Sequence, residues 1–280
     1  MAPRLRVTIV IPVHNEADMI GPCLDAVLGQ RVAADEVIVV DNNSTNATAE
    51  RLSAYEGRIR VVREARQGVQ FARTAGFDAA SGDVIGRIDA DTRLPAGWVE
   101  GLHAVFARPG VRGVTGPIAY YDIALPRLVA AADLLLRRAW VRTGGPRLDW
   151  IYGANMAIRA DAWRAVRETL CHDRLVHEDH DLGIHLYAAG QAVVFAPELT
   201  AATSSRRIRD SPRDFRAYLR MTELGCKRHA VLVQKNAFLR AWVTGRILLV
   251  LFPPLRVLHF LHHRGGRRPA AARRRNPMSA

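Results

Sequence analysis

Val7-Thr8-Ile9-Val10-Ile11-Pro12-Val13 is an unbroken, mostly β-branched apolar run, and it constrains the fold more than any other segment. A strand that is apolar on both sides has to be covered on both faces, as a parallel strand inside a layered α/β domain is. The pattern recurs. Glu36–Val40 reads as a second buried strand ending at Asp41, Ile59–Val62 as a third and Val84–Ile88 as a fourth. Helical spacing follows these strands over 17–28, 47–55, 69–80 and 95–106. Four strand–helix units predict a parallel sheet with right-handed crossovers, whose ligands sit beyond the carboxyl ends of its strands.

Asp89 and Asp91 stand where the fourth strand runs out. They alternate by two, so both side chains leave one face of the extended chain. Like charges so placed call for something positive between them. Hard carboxylate oxygens suit Mn²⁺ or Mg²⁺, which keep positions open for substrate phosphates. Asp41 ends the second strand at the same edge and is expected to face the same cleft. Capping is the plainer reading: Asp91-Thr92 for the helix near Pro95, Asp41 for the 42–45 turn.

The charge is uneven. Residues from Thr203 onward hold 18 Lys and Arg against 3 Asp and Glu, a net of +15, which leaves −2 of the chain's +13 for residues 1–202. A positive field of this kind favours anionic lipid head groups, nucleic acid or anionic sugar carriers. Three scattered cysteines, Cys23, Cys171 and Cys226, argue for free thiols and a reducing compartment. The first residues run straight into the first strand with no signal-peptide pattern.

Farther on, Gly113–Pro117 reads as a strand and 125–141 as a helix. Trp150–Ile158 reads as a strand around a turn, 161–168 and 175–189 as helices, and 192–196 as the last core strand. The tail divides into an arginine-rich helical stretch over 204–228, an apolar block in 238–263 broken by Pro253-Pro254, and an Arg/Pro/Ala-rich segment read as disordered. The block Ile247–Phe252 is too short to span a bilayer alone, and Arg246 and Arg256 bracket it. It fits a helix lying in a membrane surface or one docked on the core.

Six segments in order resemble glycosyltransferase family 2. They are Val7–Glu16 with its His14-Asn15-Glu16, Val37–Thr45 with Asp41 and Ser44, and Gln67-Gly68 with Ala72-Arg73-Thr74-Ala75-Gly76. Asp89-Ala90-Asp91, Gly153–Arg159 and Glu178-Asp179-His180-Asp181-Leu182 complete the set. The resemblance implies a GT-A fold, a Rossmann-like mostly parallel central sheet with flanking helices, here with a basic helical C-terminal extension. It implies a catalytic domain over 1–202, with a nucleotide-sugar half to about 115 and an acceptor half over 116–202. The amphipathic extension is then 203–263 and the disordered tail 264–280.

The resemblance also implies roles. Pro12, His14, Glu16, Asp41, Arg73 and Asp89 would bind the nucleotide sugar, the Arg73 fork being suited to a carboxylate or a phosphate. Asp91, with Asp89, would hold Mn²⁺ or Mg²⁺. Gly153, Asn155 and Glu178 would lie on the acceptor side, and Asp179 would be the general base of an inverting transfer. Like-charge repulsion from Glu178 and Asp181 is expected to raise the Asp179 pKa; an acidic first turn favouring the helix dipole accounts for the same three residues structurally. Thr74 stands where the family commonly has Asn. The Q/R-x-x-R-W motif of processive synthases is absent, which favours single transfer. Arg206, Arg207 and Arg209 suit a diphosphate, a lipid phosphate or simply solvent. His177, His180 and His185 lack a third nearby ligand for zinc.

The expected partners are a nucleotide-sugar donor, a hydroxyl acceptor including a lipid-linked one in cell-envelope synthesis, and an anionic membrane surface met through 203–275, with the protein peripheral on its cytoplasmic side. No specific nucleic acid is expected. The competing enzyme is a sugar-phosphate nucleotidylyltransferase, which would want a Gly-rich basic loop where His14-Asn15-Glu16 stands. The competing non-enzyme is a nucleic-acid binder acting through the basic tail, which is poor in interleaved aromatics.

Overall fold

The computed structural model describes residues 4–145 and 147–263. Its strands are β1 (Val7–Val13), β2 (Glu36–Asp41), β3 (Arg60–Arg63), β4 (Val84–Arg87), β5 (Gly113–Thr115), β6 (Ile118–Tyr120), β7 (Met156–Arg159), β8 (Val193–Phe195) and β9 (Ala201–Thr203). Its helices are α1 (Ile20–Leu28), α2 (Thr48–Ser53), α3 (Val69–Ala79), α4 (Trp98–Phe106), α5 (Pro126–Gly144), α6 (Ala160–Val166), α7 (Glu178–Ala188), α8 (Pro212–Arg228) and α9 (Ala237–His263). One sheet has the order β3-β2-β1-β4-β7-β5-β8, and β6 and β9 pair in a second, small sheet. Pairings β1–β2, β1–β4, β2–β3 and β5–β8 are parallel, while β7 runs antiparallel to β4 and β5. This is the mostly parallel, helix-flanked sheet of a GT-A fold.

The apolar run of β1 has the cause expected of it. Val7, Ile9, Ile11 and Val13 join one buried cluster with α1 and α4, while Val10 joins another with α3, α6 and α7. Helix α3 sits close on β1 and β2 at Gly76, where a Cβ would come 2.3 Å from Val10 Cγ1.

Three differences from the sequence reading concern the second half. The stretch from Trp150 becomes strand only at Met156, after a turn in which Asn155 N–H donates to Tyr152 O at 3.0 Å. The strands β6 and β9 are three residues each, too short for alternation to show in sequence. The basic stretch is split: Arg206–Arg209 is a 3₁₀ turn, and α8 starts afresh at Pro212 with Ser211 Oγ accepting from Asp214 N–H at 3.1 Å.

Pro253 and Pro254 do not break the last helix; both lie inside α9. The missing N–H groups cost two ladder bonds, but packing on either side holds the helix. Phe252 stacks on Phe215 with centroids 4.3 Å apart, Arg240 pairs with Asp149 at 2.5 Å, and His259 Nδ1 meets Ser205 Oγ at 2.7 Å. One side of α9 is therefore docked. The other leaves Leu239, Trp242, Val250, Leu251, Val257, Phe260 and Leu261 exposed. The expected tail over 264–280 lies outside the described residues.

Candidate functional site

The site lies at the carboxyl ends of β1, β2 and β4. Beyond β4, Ile88 N–H still donates to Val10 O at 3.3 Å, and Thr92 N–H closes a turn onto Asp89 O at 2.9 Å. Asp89 and Asp91 therefore emerge at the sheet edge, next to the segment that leaves β1. Each is held by its own arginine.

Arg87, on β4, holds the first. Its side chain is 4% exposed, and Nη2 lies 3.0 Å from Asp89 Oδ1 and 3.1 Å from Glu178 Oε1. Glu178 is shared with Arg73 of α3, whose Nη1 is 3.6 Å from Oε2 and donates to Glu178 O at 3.4 Å. Arg73 is 1% exposed, with Trp163 and Phe77 beside its guanidinium. Gly153 is required here, because a Cβ would fall 1.0 Å from Arg87 Nη1. Burial raises the Glu178 carboxyl against the pull of Arg87 and Arg73.

Arg206 holds the second. It comes from the 3₁₀ turn after β9. Its Nη1 and Nη2 donate to Glu16 Oε2 and Oε1 at 2.7 and 2.6 Å, a bidentate fork, and its Nε lies 2.9 Å from Asp91 Oδ2. Asp91 Oδ1 accepts from Thr203 Oγ1 at 3.0 Å, and Tyr121 Oη donates to Asp91 O at 3.1 Å. Although burial pulls the Arg206 pKa down, Glu16 and Asp91 push it up, and the net direction is up.

Asp179 opens α7. Its Oδ2 accepts from Gly153 N–H and its Oδ1 from His180 N–H, both at 2.8 Å. The expected rise in its pKa does not occur. Burial pushes it up, but His177, Arg87 and the two N–H groups outweigh that, and the carboxyl lies below the usual carboxylate range. His177 is itself pushed down to about 4 by burial, with Nε2 2.9 Å from Tyr218 O. It is neutral at pH 7, so there Arg87 and the N–H groups keep Asp179 ionised.

The other expected residues are distributed as follows. His14 is exposed and its Nδ1 is 2.8 Å from Asn42 O; Pro12 pairs with Val40 at the end of β1. Asp41 uses Oδ1 to accept from Ser44 N–H at 3.0 Å, the capping role weighed above. Two placements correct the sequence reading. Arg73 does not reach toward a nucleotide; it is sealed behind Glu178. Asn155 does not face an acceptor; it is 1% exposed, accepting from Trp98 Nε1 and donating to Pro117 O and Leu199 O. Glu16 likewise clamps Arg206. The sequence reading missed Arg87 and Thr203: one looked like part of a strand, the other like a domain boundary.

The carboxylates suit a hard divalent cation. Asp89 is 32% exposed and Asp91 5%, and both present oxygen. The charge that balances Asp91 is on Arg206, so a cation held there competes with that guanidinium.

Residues 8–169 match the sequence family described as Glycosyl transferase family 2. Over 120 residues, 41% of this chain, the sequence is 32% identical to Glycosyltransferase AglE of Haloferax volcanii, of which it covers 40%. The chain spans less than half the length of the curated relatives it first matches. In fold it is similar to the mannosyltransferase PcManGT of Pyrobaculum calidifontis, solved with GDP-Man and Mn²⁺, at a TM-score of 0.66 and 20% identity over 93% of this chain and 74% of that one. It is also similar to glucosyl-3-phosphoglycerate synthase of Mycobacterium tuberculosis, solved with Mn²⁺, UDP and glucosyl-3-phosphoglycerate, at 0.54 and 20% over 81% and 80%.

Proposed function

As the chain belongs to glycosyl transferase family 2, we propose that it moves a sugar from a nucleoside diphosphate to a hydroxyl acceptor with inversion. The observation that carries the reading is Arg87, which joins Asp89 on the donor side to Glu178, next to Asp179, on the acceptor side. Asp89 and Asp91 would hold Mn²⁺ or Mg²⁺, which when bound supplies Lewis-acid neutralisation of the leaving diphosphate. The Mn²⁺ and nucleotides of the similar structures support this choice. His14, Pro12 and Asp41 line the nucleoside end.

Asp179 acts as general base, taking the acceptor hydroxyl's proton as that oxygen attacks the anomeric carbon. Its low pKa means that it is ionised throughout the neutral range. Its reach depends on the acceptor lying between it and the Asp89 edge. The catalytic unit is best drawn past residue 202, since Thr203 and Arg206 contact Asp91 directly.

The acceptor is proposed to be lipid-linked and the protein peripheral on an anionic membrane. Support comes from the exposed apolar side of α9, with Arg246 beside it, and from exposed Leu125, Leu128 and Leu135 on or next to α5. By length and composition α9 could also cross a membrane, but its docked side favours a surface position.

Nucleoside diphosphate release from a panel of nucleotide sugars, with Mn²⁺, Mg²⁺ or chelator, tests the transfer. Metal-dependent release that Asp91→Ala abolishes and Asp179→Asn slows by about 10²–10⁴ is expected. Equal rates for Asp179→Asn and the parent protein would remove Asp179 from the base role. Co-sedimentation with anionic vesicles, reduced by Trp242→Glu with Leu239→Glu, tests the membrane face.

A further inference from the structure

A second constellation of side chains lies away from Asp89 and Asp91. Cys171 sits in the loop before α7, Asp181 and His185 lie on α7, and His229 caps the end of α8. The ligand atoms of Cys171, Asp181 and His229 all lie within 4.8 Å of one another. His185 Nε2 is 3.5 Å from Asp181 Oδ1, and the two imidazoles meet edge-on with centroids 4.9 Å apart.

The hydrogen bonds around the cluster leave its inward atoms unmatched. Asp181 is 1% exposed; its Oδ2 accepts from Cys171 N–H at 3.0 Å. Its Oδ1 lies 2.9 Å from His229 Nε2, and neither atom has a further hydrogen bond among the described residues. His185 gives the sharper argument. Thr169 Oγ1 donates its one proton to Val166 O at 2.7 Å, so it accepts from His185 Nδ1–H at 3.1 Å. In a neutral ring, that tautomer leaves Nε2 with a lone pair facing a carboxylate oxygen. Two lone pairs so close in a buried place repel, and a proton or a metal cation between them relieves it; Cys171 and His229 beside Asp181 favour the metal. Cys171 Sγ accepts from Asp173 N–H at 3.4 Å.

We propose that Cys171, Asp181 and His229 hold a structural zinc ion, with His185, 3.5 Å from Asp181 but outside the mutually close set of three, completing the tetrahedron on a shift of its ring. One thiolate, one carboxylate and two imidazoles match the tetrahedral S/N/O preference of Zn²⁺ and neutralise its charge. Bonds of about 2.0–2.3 Å set tetrahedral ligand atoms about 3.3–3.8 Å apart; the Cys171, Asp181 and His229 atoms lie within 4.8 Å of one another, so a modest contraction would seat the ion. The ion ties the end of α8 to the helix whose first turn carries Glu178 and Asp179, a junction that Arg228 and Asp173 already bridge.

The test uses the full chain, stripped with chelator and titrated with Zn²⁺ against a chromophoric competitor, then with Co²⁺ alone. One tight equivalent of zinc is expected, with the visible absorption of tetrahedral Co²⁺ and a thiolate charge-transfer band. Cys171→Ser should abolish that band and weaken zinc binding at least about 100-fold, and His229→Gln should weaken it comparably. Asp91→Ala should leave the zinc equivalent in place. The proposal is overturned if no tight equivalent binds, if Co²⁺ shows no thiolate band, or if Asp91→Ala rather than Cys171→Ser removes the metal. Circular dichroism of each variant separates lost ligation from lost folding.

Discussion

Two arginines stand over the two carboxylates of one motif, and they are built differently. Arg87 belongs to a central strand, is 4% exposed, and is closed in by Gly153, Asp89 and Glu178. Arg206 belongs to a short 3₁₀ turn between β9 and α8, is 21% exposed, and reaches Glu16 and Asp91 from outside the sheet. Both put a positive charge against a negative pair. Only the first is part of the folded core. The second can yield its carboxylates to another cation, or turn to an anionic ligand, without disturbing a strand. On the proposed function, Arg87 would serve as the rigid countercharge and Arg206 as the one that a metal or donor displaces.

The largest expected effect comes from breaking the rigid side. Arg87→Ala leaves Glu178 buried beside Asp89 with only Arg73 to balance it. Loss of one partner of such a buried network costs about 3–5 kcal/mol. Urea unfolding monitored by circular dichroism should show that loss. A change under about 1 kcal/mol, within the range of an exposed pair, would mean that Arg87 is not a rigid, buried countercharge.

Arg206→Ala should cost somewhat less, about 2–4 kcal/mol, because its guanidinium is 21% exposed and its removal opens Glu16 and Asp91, 6% and 5% exposed, to water. Its signature is in metal response. With the guanidinium gone, Glu16 and Asp91 repel each other, and Mn²⁺ without nucleotide should raise the melting temperature more than it does in the parent protein. An equal Mn²⁺ response in both proteins would mean that Arg206 and the cation do not compete.

The same contrast explains what the sequence disclosed. Buried parallel strands carry continuous apolar runs, so β1, β2 and β4 and the carboxylates at their ends were legible, while the GT-A architecture followed from the resemblance of six segments to glycosyltransferase family 2. Packing partners were not legible. Nothing in Ala72-Arg73-Thr74 says that Arg73 would turn inward onto Glu178 and not outward to a phosphate. Nothing in Gly153-Ala154-Asn155 says that the asparagine amide would tie Trp98 to Pro117 and Leu199. The zinc cluster shows the limit most plainly: histidine spacing along α7 drew attention to His177 and His180, while the partners of His185 come from 171 and 229, which only the tertiary fold brings together.

Acid titration should produce the smallest effect, and it separates the groups around the rigid side. Asp179 has a folded pKa below its unfolded value. Its contribution is complete above the ordinary carboxylate range, about 3.9, and disappears only as pH falls through the lower folded value. It therefore changes nothing between pH 7 and 5. His177 behaves differently, with a folded pKa of about 4 against about 6.5 unfolded. In that window the unfolded chain binds the extra proton, so stability is full above about 6.5 and declines as pH falls toward 4. Asp179, His180, Arg207 and the Tyr218 carbonyl surround the ring. His180, His229 and His259, also lowered by burial, add to the same slope. His177→Gln, which keeps a donor for Tyr218 O, should reduce the slope of unfolding free energy between pH 6.5 and 4.5 without removing it. An unchanged slope would mean that His177 is protonated in the folded protein. Its positive charge would then join Arg87 in holding Asp179 ionised.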